Sequence, residues 1–267
     1  MDMLTEKRDR AQVGELDIAY ESGGAGEPAL VFIHGILEDR SYFAPQLAHF
    51  SGRRRLVALD LRGHGQSSVP TEATIDDFAA DVIAVADAAG LERAVLCGHS
   101  MAGVVGLKVA LARPQLVCGV AMVDGTVLFP DHVRHTALTE LVPALAGPHW
   151  LEALTGFFRG VILDPQDPED LVQRVIAAAG RTRPEFARSF FASLMASDYA
   201  AELESARCPL LYIHAKTPTD LQRLRDLRPD AMIGQVVGSG HYAMLTAPDQ
   251  VNAMLDRFLH LVDEPRA

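Results

Sequence analysis

Short apolar runs recur along this chain, with longer stretches of helical spacing between them. Leu30-Val31-Phe32-Ile33, Leu56-Val57-Ala58-Leu59, Ala94-Val95-Leu96-Cys97 and Val117–Val123 come first, then Leu210-Leu211-Tyr212-Ile213 and Ile233–Val237. Runs this short, bounded by Gly, Pro or Asp, predict buried strands rather than helices. Leu16–Tyr20 reads as one strand of an antiparallel pair, leading into the turn Ser22-Gly23-Gly24-Ala25-Gly26. The intervening segments carry apolar stripes. Phe78, Val82, Val85, Ala86 and Ala89 form one, with Asp77, Asp81 and Asp87 off it. Val251, Met254, Leu255, Phe258, Leu259 and Val262 form another, opened by Pro248 and Asp249. The alternation predicts an α/β chain with a mostly parallel sheet flanked by helices.

The pattern breaks between Val123 and Leu210, where no run reads convincingly as a strand. This stretch is helical in spacing and interrupted by Pro130, Pro143, Pro148, Pro165, Pro168 and Pro184. It predicts a helical insertion over one edge of the sheet, with residues 128–205 set between core segments 1–127 and 206–267. Asp167-Pro168-Glu169-Asp170 reads as a helix start, with Asp167 as the cap and Pro168 in the first turn. A calcium site there lacks the regular Asp spacing and the Gly turn. Phe129, Trp150, Leu154, Phe157, Phe158, Phe190 and Phe191 make the insertion apolar and aromatic. Most of them are expected to pack it onto the sheet. Phe129 and Trp150 are the candidates for lining a ligand pocket.

Composition narrows the partners. The chain has 267 residues, 49% hydrophobic and 22% charged, with 24 basic and 35 acidic residues for a net charge of −11. A chain of this length buries about 75% of its unfolded surface and needs no disulfide or metal to hold a core. The acidic balance argues against nucleic acid and against an anionic membrane surface. Cys97, Cys118 and Cys208 are odd in number, widely spaced and set among apolar residues, unlike a disulfide framework or a zinc site. The polar first ten residues carry no signal-peptide pattern, so a cytoplasmic setting is expected. Neither a phosphate-cradling loop nor metal-ligand spacing is present. The expected partner is a small molecule, with no cofactor and no metal, in a monomer or a homo-oligomer.

The candidate chemistry starts at Gly98-His99-Ser100-Met101-Ala102-Gly103, directly after the strand Ala94–Cys97. A helix rich in small residues follows and stops before Pro114. A serine on a tight turn between strand and helix is the geometry of a nucleophile elbow. With this motif, the chain resembles the α/β-hydrolase superfamily over nearly its whole length. His34-Gly35 at the end of a strand is similar to the family's oxyanion loop. Asp60-Leu61-Arg62-Gly63-His64-Gly65-Gln66-Ser67 resembles the loop after its fourth strand, and Gly238-Ser239-Gly240-His241 its histidine loop. Ala102 departs from the usual elbow glycine but is small enough for the turn.

A serine hydroxyl is a poor nucleophile until a base takes its proton. His241 is the candidate base, in a Gly-rich loop just after a strand. His99 is adjacent to Ser100 but points elsewhere from a tight elbow, and His34 and His64 read as supporting groups. The resemblance implies oxyanion donors at the backbone N–H groups of Ile36 and Met101. For the acid that orients His241, the family's usual place after the strand Leu210–Ile213 is occupied by Pro218. Asp124, at the end of the preceding strand, is taken ahead of Asp220, which reads as a cap for the helix from Leu221. The activity implied is that of a serine hydrolase acting on a small, rather apolar carboxylic ester or lactone. Two alternatives remain: cofactor-free C–C hydrolysis or dioxygenation on the same scaffold, and a hydrolase-like ligand-binding protein. Ser100 stands where haloalkane dehalogenases and epoxide hydrolases carry an Asp nucleophile, which argues against both.

Overall fold

The computed structural model describes residues 7–263. Eight strands form one sheet: β1 (Lys7–Val13), β2 (Leu16–Gly23), β3 (Ala29–Ile33), β4 (Leu56–Leu59), β5 (Ala94–His99), β6 (Val117–Val123), β7 (Leu210–His214) and β8 (Met232–Gln235). Their order is β1-β2-β4-β3-β5-β6-β7-β8; β1 and β2 pair antiparallel, β2 meets β4 antiparallel, and the remaining pairs are parallel. The partner of β2 is thus the polar segment Lys7–Val13, which carries too weak an apolar signal to read as a strand by itself. Every residue of β3, β4 and β5 is buried, which is why these runs are apolar at consecutive positions.

Helices α1 (Ala44–Phe50), α2 (Ile75–Ala88) and α3 (Ala102–Ala112) follow β3, β4 and β5. Thr74 and Asp77 cap α2 reciprocally, each side chain accepting from the other's backbone N–H. Asp81, off the apolar stripe, is nevertheless fully buried, and its carboxylate takes the Arg62 guanidinium at 2.9 and 2.6 Å. That ion pair ties α2 to the loop after β4. Between β6 and β7 run α4 (Asp131–Thr136), α5 (Val142–Ala144), α6 (Trp150–Phe157), α7 (Glu169–Ala179), α8 (Pro184–Met195) and α9 (Ala200–Ser205), and this described stretch holds no strand. Helix α7 begins at Glu169, and Asp167 does not cap it. The Asp167 carboxylate instead accepts from the Asp164 N–H at 2.7 Å, closing the turn before the helix. After β7 come α10 (Leu221–Leu227), α11 (Ala243–Thr246) and α12 (Pro248–Asp263), the last burying the predicted stripe. No helix of the described residues is long and apolar enough to cross a membrane.

Candidate active site

The carboxyl ends of β3, β5 and β6 and the loop after β8 bring Ile36, Ser100, Asp124 and His241 together at the carboxyl-terminal edge of the sheet. Ser100 sits at φ +55°, a left-handed conformation for a non-glycine residue. Its turn depends on Gly98: a Cβ there would meet the Ala102 carbonyl oxygen at 2.3 Å. Asp124 and Leu37 also have positive φ, at +46° and +61°. Three strained residues therefore converge on one site. The insertion approaches just as closely, since a Cβ on Gly240 would stand 2.7 Å from Cβ of Asp164.

Asp124 is completely buried, and its Oδ2 accepts from His241 Nδ1 at 2.7 Å. The loop after β7 wraps the same carboxylate. The amides of Ala215 and Lys216 donate to Oδ1 at 2.8 and 2.9 Å, while the amide and hydroxyl of Thr217 donate to Oδ2 at 3.0 and 2.8 Å. Burial would raise this carboxyl's pKa. His214 (3.7 Å away, too far for a hydrogen bond), His241 and the amides outweigh it and hold the group well below the carboxylate range. Asp220 does something different. Its side chain accepts from the Arg223 N–H at 2.9 Å and caps α10.

The loop His34–Glu38 is held by three buried histidines. His34 donates through Nδ1 to the Gly35 carbonyl at 2.7 Å and accepts at Nε2 from the Leu61 N–H at 3.0 Å. His64 donates to the Arg62 carbonyl at 2.9 Å and accepts from the Leu37 N–H at 3.2 Å. Burial, with His34 nearby, pushes the His64 pKa down to about 3, so its ring is neutral. His99 points away from the elbow serine, as expected, and faces an acceptor at each nitrogen: Glu38 Oε1 at 2.7 Å and the His241 carbonyl at 2.9 Å. Burial opposes its charge, but Glu38 outweighs this and holds the His99 pKa above its ordinary value. Glu38 in turn accepts the Gly35 N–H at 2.7 Å. One buried ion pair therefore links the loop His34–Glu38, the strand before Ser100 and the loop of His241. Glu38 was missed from the sequence. The available signal was a histidine at the end of an all-apolar strand, which needs a polar partner if buried.

Two adjoining cavities meet at this edge. A chamber of about 40 Å³ is bordered by Ile36, Ser100, His241 and rings from the insertion. A groove of about 580 Å³ runs from His241 and Thr217 beneath α4 and α6. Phe129 borders both. Trp150 borders neither: at the start of α6 it is half-buried against the core, so it packs the insertion instead of lining the pocket. Among the described residues, neither the Ile36 nor the Met101 amide donates to a protein acceptor, and none of the acidic, histidine or cysteine clusters could hold a metal ion.

The family described as "alpha/beta hydrolase fold" matches residues 28–248. The chain belongs to that family. It is an enzyme of hydrolase type, similar from end to end to proteins with hydrolase names. A RutD protein of Azorhizobium caulinodans, named as a carbamate hydrolase, is 28% identical over 95% of this chain and 99% of its own. The 2-(acetamidomethylene)succinate hydrolase of Mesorhizobium japonicum is 26% identical over 94% of each chain. Among solved structures, the enol-lactonase of Burkholderia xenovorans superposes with a TM-score of 0.81 at 22% identity, covering 94% of this chain and all of the other.

Proposed function

We propose that this α/β-hydrolase is a serine esterase or lactonase acting through Ser100, His241 and Asp124. The observation that carries the reading is the 2.7 Å contact between His241 Nδ1 and the buried Asp124 carboxylate, on a ring that borders the chamber of Ser100. Asp124 accepts the Nδ1 proton, which leaves Nε2 as the acceptor that activates the serine. Ser100 Oγ forms a bond to the carbonyl carbon, and its proton passes to His241. The amides of Ile36 and Met101 hold the oxyanion. The bond to the leaving oxygen then breaks as His241 returns the proton to it. Water, deprotonated by the same ring, releases the acid and regenerates Ser100.

The pocket supports a neutral, apolar substrate. Glu38 and Glu140 border the cavities, and the ammonium of Lys216 is already bound to the Leu163 carbonyl at 2.7 Å. Its charge is offset by the Asp164 carboxylate at 3.6 Å, so among the described residues lining the cavities no unpaired Lys or Arg meets a dicarboxylate such as the succinate derivative in the name of the Mesorhizobium relative. The test is labelling with a fluorophosphonate together with turnover of p-nitrophenyl acetate. Labelling that is lost in Ser100→Ala supports covalent serine catalysis. Turnover that survives in Ser100→Ala shifts the reading to base chemistry by the His241–Asp124 pair, and the absence of both labelling and turnover shifts it to ligand binding.

A further inference from the structure

Resting on the serine-hydrolase reading, we infer that the two cavities divide the substrate, a short acyl group lying in the Ser100 chamber and a long apolar leaving group in the groove, with the Thr126 hydroxyl binding the scissile group between them. The groove borders His241 but neither Ser100 nor Ile36, whereas the chamber borders all three. The carbonyl carbon must lie against Ser100 and the oxyanion amides, so its acyl chain starts inside the chamber. The leaving oxygen must lie against the imidazole that protonates it, so its chain departs past His241. The groove is the space on that side.

The sizes of the cavities set the lengths. A cavity needs about 10–15 Å³ to hold even one water, so the chamber, at about 40 Å³, is the place for the shorter acyl chain, such as an acetyl or propionyl group. Its walls do not yield easily. Phe158, Phe190 and Phe191 are buried, and the rings of Phe190 and Phe191 pack edge to face at 4.9 Å. The groove is more than ten times larger and is lined by small or apolar side chains such as Ala137, Leu141, Ala144 and Ala153. At the junction, Thr126 borders both cavities, and its hydroxyl is buried without a hydrogen-bond partner. A buried polar group left unpaired costs about 1–3 kcal/mol. The substrate's leaving oxygen, or an N–H in its place, supplies the missing partner.

Two isomeric esters test the division at constant size and hydrophobicity. Octyl acetate matches it and ethyl octanoate inverts it. The expected result is at least about a hundredfold higher kcat/KM for octyl acetate, since a filled hydrophobic pocket discriminates about tenfold or more per added methylene and octanoyl carries six more carbons than acetyl. Leu194→Ala, which opens the chamber alone, raises the rate on ethyl octanoate. Val161→Asp, at the groove alone, lowers the ratio of octyl acetate to ethyl acetate turnover. Thr126→Val lowers kcat/KM for both acetates at least tenfold while keeping the protein folded. Equal or inverted preference for the two isomers overturns the division and leaves serine catalysis standing. Unchanged kcat/KM in Thr126→Val overturns the role of the hydroxyl. If neither ester turns over, fluorophosphonate labelling separates the cases: with Ser100 labelled the division falls alone, and with Ser100 unlabelled the serine-hydrolase reading falls with it.

Discussion

Asp124→Asn probes the acid most directly, because the structure sets both its catalytic and its structural cost. Asparagine keeps the shape, but only one of its two polar atoms accepts. Its Oδ1 serves the amides of Ala215 and Lys216, which turns the NH2 group toward His241 and Thr217. One N–H of that group then faces the Thr217 amide, itself a donor that keeps only its 3.1 Å bond to Oδ1, and the other faces His241 Nδ1, which has to become an acceptor. The ring proton moves to Nε2, where it blocks proton transfer from Ser100. The same exchange in a serine protease triad lowers turnover about 10⁴-fold. Stability falls as well, unlike for an exposed Asp. The hydrogen bonds from the Thr217 amide and hydroxyl to a charged acceptor are impaired, at about 1.5 kcal/mol each. Together they come to about 3 kcal/mol, a fall of about 6–12 °C in Tm for a chain of this size. Asp220→Ala is the control. It loses one helix cap, about 1 kcal/mol, and keeps its turnover. The assay is kcat on p-nitrophenyl acetate at 25 °C, with circular dichroism melting on the same samples. Asp124→Asn retaining a tenth of wild-type kcat, or Asp220→Ala losing a hundredfold, would refute the assignment.

Ser100→Ala should lose several orders of magnitude in kcat with an unchanged far-ultraviolet spectrum, and residual activity above one tenth would sink the covalent route. Gly98→Ala should abolish turnover and lower Tm, because the new Cβ meets the Ala102 carbonyl; a folded, fully active variant would show that the elbow tolerates a side chain. Glu38→Gln should leave His99 neutral and lower kcat about tenfold, since it loosens the loop His34–Glu38; unchanged kcat would make the pair purely structural. The pKa of His99 is raised in the folded protein, so its stabilisation is complete below the unfolded value of about 6.5 and is lost as pH rises through the folded value. Tm should therefore fall on the alkaline side, and His99→Gln should flatten that limb; a wild-type Tm that stays level between pH 7 and 10 contradicts a charged His99.

The legible parts of the fold were those written as consecutive apolar residues. The strands β3 to β7 are buried on both faces, so their sequences contain almost nothing else. The elbow was legible for a related reason: its backbone contacts exclude a side chain at 98, and that exclusion is visible as glycine. The polar side chains buried against loops were not legible. Asp81 lies on the side of α2 that pattern reading gives to solvent, and only the approach of Arg62 from 19 residues away turns it inward. Glu38 likewise looks like a surface acid until His99 arrives from β5. Periodicity reports which face meets the core, but it carries no record of a distant ion partner.

The departure at Pro218 has a structural explanation that reaches beyond this one residue. Strands β6 and β7 are adjacent and parallel, with Val123 opposite Ile213, so their last residues end side by side beneath His241. The carboxylate at the end of β6 meets the imidazole nitrogen, and the loop after β7 comes to the same nitrogen through the Thr217 hydroxyl at 3.2 Å. What the site needs is one acid and a ring of donors to keep it ionised, shared between two neighbouring loops. In the proposed triad β6 supplies the acid at Asp124, and the loop after β7 supplies the donors through Ala215, Lys216 and Thr217. Proline has no N–H to give, but it stands one residue past the last donating amide, so the ring is complete without it. The position that looked like a missing catalytic residue lies just outside a cradle built for the neighbouring strand's carboxylate.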